Sequence, residues 1–133
     1  MGDFYQNGII TTLHNLANRP LQDLEAELQR FSAERPMGLI LPSLYSELEG
    51  EALPAILEEL KPASYLSEIV IGLDRADESQ YRSALKFFGR LPQRHRVLWN
   101  EGPRLQALDK LLQEQDLAPR ALGKGRNVWY CMG

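Results

Sequence analysis

The stretch IVIGL, residues 69–73, decides the fold. It is rich in β-branched residues and does not alternate with polar ones, which predicts a strand that is buried on both faces of a parallel sheet and ended by Asp74. Two runs of the same kind lie elsewhere in the chain, Gly38–Leu41, which Pro42 stops, and His95–Trp99. The sequence therefore predicts three parallel strands.

Amphipathic helices follow the three predicted strands. Their apolar positions recur at three- and four-residue spacing, and each pattern stops near a proline, a glycine or a polar run. These positions are Leu53, Ile56, Leu57 and Leu60, then Tyr81, Leu85 and Phe88, and finally Leu105, Leu108, Leu111 and Leu112. The alternation predicts an α/β Rossmann-like parallel sheet with right-handed crossovers and covering helices.

About a quarter of the chain precedes the first predicted strand. A helix is predicted from Leu21 to Ala33, and a weaker helical stripe runs through Leu13 and Leu16. We therefore predict an N-terminal helical extension at residues 1–35, followed by an α/β domain at residues 36–133.

Composition narrows the class of protein. The chain has 133 residues, 44% of them hydrophobic, with a net charge of −3, so nothing in it attracts nucleic acid or anionic lipid as a whole. It holds no apolar run of the roughly 18 residues that a membrane span needs. Cys131, His14 and His95 are too few for a Cys/His metal cluster or an internal disulfide. These features predict a water-soluble, cytoplasmic protein.

Ligands of open parallel sheets bind beyond the carboxyl ends of the strands. The first such loop, from Leu41 to Glu47, begins with a Pro-Ser-Leu turn against which a flat base could lie, and Glu47 could accept hydrogen bonds from ribose; alternatively, Glu47 caps a helix. Asp74 could bind a ribose or base, or cap the next helix. Arg75 and Asp77 are expected to face solvent.

A glycine-lysine loop, Gly123-Lys124-Gly125, opens the last predicted helix, which we place at Asn127–Gly133. Arg120, Lys124 and Arg126 make this end of the chain locally positive, and amides at a helix N-terminus attract anions, so a diphosphate site is one interpretation. A flexible polar turn is the other. The loop is not a Walker A motif, because glycine rather than serine or threonine follows Lys124.

Three further patterns bear on function. No dinucleotide fingerprint follows the first strand, and no serine nucleophile elbow is present. Trp99, Trp129 and Phe88 are expected in the core. The apolar end of the chain, through Tyr130 and Met132, predicts the N-terminal piece of a longer domain, or a fragment that associates through this face.

Taken in order, these loops resemble the nucleotide-binding half of GT-A type glycosyltransferases, and in particular the glucosyl-3-phosphoglycerate synthase and mannosylglycerate synthase-like group. The resemblance covers residues 36–133. It implies that one set of residues surrounds the nucleoside and that Lys124 neutralises the diphosphate. The nucleoside set is Leu41, Pro42, Ser43, Leu44, Glu47 and Asp74.

The resemblance also implies a metal-dependent, retaining enzyme. Such an enzyme would transfer glucose or mannose from a UDP- or GDP-sugar to a small acceptor such as glycerate or 3-phosphoglycerate, with a homodimer as one assembly. Its Mg²⁺ or Mn²⁺ ligands, an Asp-x-Asp motif, and its catalytic residues are expected beyond Gly133, so that this chain binds no metal and is inactive alone. The alternative is a non-catalytic α/β module that binds a phosphorylated ligand.

Overall fold

The structure, a computed structural model, describes residues 19–133. The predicted stripe through Leu13 and Leu16, and His14, lie outside these residues, and the predicted division at residue 35 stays a prediction. In chain order the elements are α1 Leu21–Glu34, β1 Met37–Leu44, α2 Tyr45–Leu48, α3 Ala52–Leu60, β2 Leu66–Asp74, α4 Glu78–Phe88, β3 His95–Trp99, α5 Pro103–Glu114 and α6 Lys124–Met132. Within residues 19–133, no helix combines the length and the hydrophobicity that spanning a bilayer requires.

The three strands form one parallel sheet in the order β1-β2-β3. Leu41 is opposite Ile71, and Ile71 is opposite Val97, so the three apolar runs are aligned across the sheet. The predicted α/β Rossmann-like fold is confirmed.

Strand β1 is longer than the sequence predicts. It does not stop at Pro42 but continues to Leu44, with Pro42 opposite Gly72 and Leu44 opposite Asp74. Within the described residues β1 is an edge strand, where proline is tolerated because one side of the strand makes no ladder hydrogen bonds. The Pro-Ser-Leu segment is therefore the end of a strand rather than a loop.

The main core lies on one face of the sheet, beneath α3 and α4. Its largest fully buried side chains are Phe88, Leu57, Ile69, Ile71 and Leu73. Alternate residues of β2 point to this face, and each such side chain contributes about 1.5 to 3 kcal/mol when fully buried. This core fixes the carboxyl end of β2, where Asp74 follows Leu73.

The amino end of α4 decides which acid caps the helix. Asp77 is exposed, as predicted, and its Oδ1 also accepts a 2.8 Å hydrogen bond from the Gln80 N–H, while Gln80 Oε1 accepts one of 2.8 Å from the Asp77 N–H. This capping box means that Asp77, not Asp74, caps the helix. Asp74 is left free of that structural task.

The second face of the sheet is covered by α6, which packs on β1 and β2. Helix α6 begins at Lys124, earlier than predicted, and Tyr130 is buried, so Tyr130 does not join Met132 in an exposed apolar patch. Helix α5 does not cover the sheet as predicted, because none of its residues is buried, and Leu108 and Leu111 are 46% and 61% exposed.

Candidate functional site

A crevice opens at the carboxyl ends of the three strands. One part, which we call the β1 compartment, measures about 230 Å³. It is lined by Pro42, Ser43, Leu44, Glu47, Asp74, Arg75, Gly123, Lys124 and Asn127. The other part, the β3 compartment, measures about 390 Å³ and extends to α5. Its lining is Asp74, Arg75, Asn100, Glu101, Leu105, Gln106, Asp109, Leu122, Gly123, Arg126, Asn127 and Tyr130. Four residues line both parts, so the two compartments are adjacent.

The β1 compartment brings together six of the seven residues predicted to hold a nucleotide. They are Pro42, Ser43, Leu44, Glu47, Asp74 and Lys124. Leu41 is the exception, because its side chain packs against the core beneath α3 and α4. Alternation along β1 places the side chains of neighbouring residues on opposite faces, which separates Leu41 from Pro42.

Glu47 is held at the edge of the β1 compartment by its own helix. Its Oε2 accepts a 2.8 Å hydrogen bond from the Leu44 N–H, which is the capping role left open by the sequence. The side chain remains exposed and lines the compartment. Capping therefore orients the Glu47 carboxylate and uses one of its two oxygens.

The loop after β2 is tied to the loop after β3 through Glu101. The Glu101 carboxylate accepts hydrogen bonds from the Arg75 N–H at 3.0 Å and the Ala76 N–H at 3.2 Å. Arg75 has a φ of 56°, and its N–H also donates to Asp74 Oδ1 at 3.2 Å. Successive N–H groups around a left-handed residue form an anion-binding concavity, here filled by a carboxylate. Glu101 thus holds the loop that carries Asp74 into the crevice. The position of Glu101 in the sequence does not indicate this role.

The positive end predicted from the sequence is largely neutralised. Arg126 Nη2 lies 2.5 Å from Asp109 Oδ2, with both side chains only 16% exposed, and Arg120 pairs with Asp116 at 3.0 Å on the surface. Asp109 lies in the middle of α5, and Asp116 lies just beyond the end of that helix. Of the three cations, only Lys124 makes no ion pair with the residues that the structure describes.

Asp109 also accepts hydrogen bonds from Tyr130 and Gln113. Burial disfavours the charged form, but the hydrogen bonds from Tyr130, Arg126 and Gln113 outweigh it and lower the pKa of Asp109. Hydrogen bonding to Asp109 likewise raises the pKa of Arg126. The pair is therefore ionised at neutral pH.

Asn127 is a site residue that sequence reasoning missed. It is 3% exposed, lines both compartments, and its Nδ2 donates a 2.8 Å hydrogen bond to the carbonyl oxygen of Gly72. An asparagine in the first turn of a helix carries no signal of such a contact, because Gly72 lies 55 residues earlier in the chain.

Residues that line the crevice include buried polar atoms without partners. In the part of the chain that the structure describes, four buried side-chain polar atoms have no hydrogen-bond partner, and three of them belong to crevice residues: Ser43 Oγ, Asn100 Oδ1 and Arg126 Nε. A buried polar group without a partner costs about 1 to 3 kcal/mol, so these atoms lower the stability of the protein around the crevice.

A metal site does not emerge from the described residues. Between residues 19 and 133, no three side chains of His, Cys, Asp or Glu converge on a point where they could hold a metal ion. The crevice acids Asp74 and Glu101 accept hydrogen bonds from loop N–H groups.

Comparison with curated proteins identifies relatives of the whole chain. It is 47% identical over 133 residues to glucosyl-3-phosphoglycerate synthase of Persephonella marina, and 33% identical over 132 residues to the enzyme of the same name from Methanococcoides burtonii. The matches cover 100% and 98% of this chain, but it spans only about one third of each relative, 33% and 32% of their lengths. No family model and no solved structure matches the chain. The resemblance to this group of glycosyltransferases is confirmed.

Proposed function

We propose that this chain, related over its whole length to about one third of two glucosyl-3-phosphoglycerate synthases, forms the sugar-nucleotide-binding part of a glycosyltransferase. The whole enzyme transfers a hexose, glucose or mannose, from a nucleoside diphosphate sugar to a small acceptor such as glycerate or 3-phosphoglycerate. The observation that carries this proposal is that six of the seven residues predicted to hold a nucleotide line the β1 compartment together.

The nucleoside occupies the end of β1. There the strand passes from Pro42 to Leu44 along the wall of the β1 compartment, so a flat base can lie against the backbone. The Glu47 oxygen that the cap leaves free can accept a hydrogen bond from a ribose hydroxyl. Asp74, positioned by the loop that Glu101 holds, is available to a second polar group of the nucleoside.

The diphosphate lies at the amino end of α6. Lys124 lines the β1 compartment, and the first-turn N–H groups of α6 add the positive end of a helix dipole. A positive charge held at this point stabilises the negative charge that grows on the departing nucleoside diphosphate. Lys124 thus contributes both to binding and to transfer.

Metal dependence of the whole enzyme rests on the family resemblance. The described residues lack a ligand set for Mg²⁺ or Mn²⁺, so they do not fit a metal site of their own. We assign to them the binding and orientation of the donor rather than coordination of a metal ion. The acceptor site and the catalytic residues belong to the rest of the enzyme.

The test is a calorimetric titration of the full-length protein in the presence of Mg²⁺. UDP-glucose and GDP-glucose are compared with ATP, NAD and inorganic pyrophosphate. We expect at least one sugar nucleotide to bind about tenfold or more tightly than each of these three, which is about 1.4 kcal/mol. Equal affinity for pyrophosphate would instead favour a module that binds phosphorylated ligands, and tighter binding of ATP or NAD would overturn the proposal.

A further inference from the structure

We propose that Asp109 is a positioning residue for the diphosphate: it holds Arg126 and Tyr130 of α6 so that Lys124 faces the crevice. This inference rests on the proposed function, because it concerns how the chain places the cation at the same site. Asp109 lines the β3 compartment and Lys124 the β1 compartment, so we assign Asp109 an effect on the diphosphate through α6 rather than by contact.

One carboxylate clamps two consecutive turns of α6. Oδ2 of Asp109 lies 2.5 Å from Arg126 Nη2, and Oδ1 accepts a hydrogen bond from the Tyr130 hydroxyl. Arg126 and Tyr130 are four residues apart, one turn of a helix, and the guanidinium carbon of Arg126 lies 5.5 Å from the centroid of the Tyr130 ring. Because each oxygen of Asp109 holds a different turn of α6, Asp109 fixes the direction of the α6 axis as well as the distance between α5 and α6.

The contacts of Asp109 with Arg126 and Tyr130 attach α5 to α6, because burial of apolar side chains does not hold α5 in place. No residue of α5 is buried. Gln113, one turn after Asp109, donates a 3.0 Å hydrogen bond to the carbonyl oxygen of Pro119 in the connection between α5 and α6. The segment that leads into Gly123 and Lys124 is therefore tethered before and after those two residues by polar groups of α5.

The position of Lys124 depends on this tether. Its side chain is exposed and forms no ion pair within residues 19–133, so its ammonium is placed only by the backbone of the first turn of α6. Asn127 attaches that turn to β2 through Gly72, and packing on β1 and β2 holds one side of α6 against the sheet, which leaves the side towards α5 to be held by polar contacts. Asp109 supplies the second attachment.

Simple electrostatics and positioning predict opposite effects for Asp109→Asn. The substitution removes a negative charge from the wall of the β3 compartment and frees the Arg126 guanidinium, which by charge alone would strengthen binding of a diphosphate. If Asp109 instead places Lys124, the same substitution weakens binding. The sign of the change in affinity therefore separates the two roles.

The experiment measures UDP-glucose affinity of the full-length protein in a double-mutant cycle. We expect Asp109→Asn to weaken binding about tenfold in the wild-type background, and by less than about twofold in a Lys124→Ala background, because its effect passes through Lys124. Tyr130→Phe, which removes one hydrogen bond and keeps the ion pair, is expected to weaken binding about threefold with the same dependence on Lys124. Tyr130→Phe keeps the test usable if Asp109→Asn does not fold.

Asp116→Asn is the matched control. It removes the same charge from an exposed pair with Arg120 in the connection between the same two helices, and we expect affinity to change less than about twofold. The inference is overturned if Asp109→Asn binds as tightly as wild type or more tightly, or if it loses the same factor with and without Lys124. If the wild-type protein does not bind UDP-glucose or GDP-glucose, the proposed function fails, and this inference fails with it.

Discussion

Asn127 Nδ2 donates a 2.8 Å hydrogen bond to the carbonyl oxygen of Gly72, and a Cβ atom at residue 72 would lie 1.9 Å from Asn127 Oδ1. The same Cβ would lie 2.7 Å from Cys131 Sγ. Only glycine at this point of β2 lets α6 approach the sheet closely enough for the hydrogen bond. The pair therefore joins the most buried strand to the helix that carries Lys124.

Gly72→Ala should destabilise the protein. The added methyl group overlaps a buried amide that is only 3% exposed, so either the helix moves or the hydrogen bond breaks. We expect the free energy of unfolding to fall by about 1 to 3 kcal/mol, as for other overpacked sites, when measured by urea denaturation. UDP-glucose binding should weaken as well, since Lys124 moves with α6.

Gly38→Ala is the matched control for this substitution. Residue 38 is in the neighbouring strand β1, and its added Cβ would make only an ordinary contact, 3.6 Å from the Glu68 carbonyl oxygen. Because alanine loses less backbone entropy on folding than glycine, we expect equal stability or a gain of up to about 1 kcal/mol. Equal losses at both positions would contradict the role of the close approach between Gly72 and α6.

Lys124→Ala should weaken binding of the diphosphate moiety. Loss of one charge-assisted contact lowers the binding free energy by about 1 to 3 kcal/mol, measured by titration with UDP-glucose. Lys110→Ala, which removes an exposed lysine from α5, should leave affinity unchanged. Unchanged affinity for Lys124→Ala would show that Lys124 is merely solvated.

Glu47 combines a structural role with the proposed ribose contact, and two substitutions separate them. The side-chain carbonyl of Glu47→Gln can still accept the Leu44 N–H, so stability should be retained, while loss of the charge weakens a ribose hydrogen bond several-fold. Glu47→Ala should also lose about 1 kcal/mol of stability with the cap. Thermal unfolding and UDP-glucose titration of both variants check this, and identical affinities for wild type and Glu47→Gln would argue against a charged ribose contact.

The ion pair of Asp109 and Arg126 should make stability depend on pH. The pKa of Asp109 is lowered in the folded protein, so its stabilisation is complete above the pKa of the unfolded chain, about 4, and is lost as pH falls through the lower folded value. Wild type should therefore exceed Asp109→Asn by about 1 to 3 kcal/mol at pH 7, with the difference shrinking below about pH 4. Urea denaturation across this range measures it. A difference that stays constant down to pH 2 would show that the charge of Asp109 is not what stabilises α6.

Much of the fold could be predicted from local pattern. The apolar run of β2 and the spacing of Leu53, Leu57 and Phe88 indicate a strand and its covering helices, because burial imposes those periods directly on the sequence. The extension of β1 through Pro42 could not be predicted, since it depends on the edge position that β1 has in the sheet formed by residues 19–133. The exposure of α5 was also unpredictable, because helical spacing does not state what the helix packs against.

The candidate site could be predicted only in part. Pro42 and Asp74 could be placed at this edge because parallel strands bring their carboxyl ends together there, and Lys124 because it lies between two glycines at the start of the last helix. Asn127 and Asp109 were missed. Their partners are distant in sequence, and the packing of α6 against β2 and α5 determines which side chains meet. For the same reason Arg126 looked like a free cation, although α5 supplies its counterion.

The most direct test of the central claim is a crystal structure of the full-length protein bound to UDP-glucose, or to GDP-glucose if that donor binds more tightly. We predict the nucleoside against the end of β1 at Pro42–Leu44, with a diphosphate oxygen within about 3.5 Å of Lys124 Nζ. A nucleotide bound elsewhere, for example in the apolar groove between β3 and α5 lined by Val97 and Leu108, would contradict the claim that this crevice is the donor site.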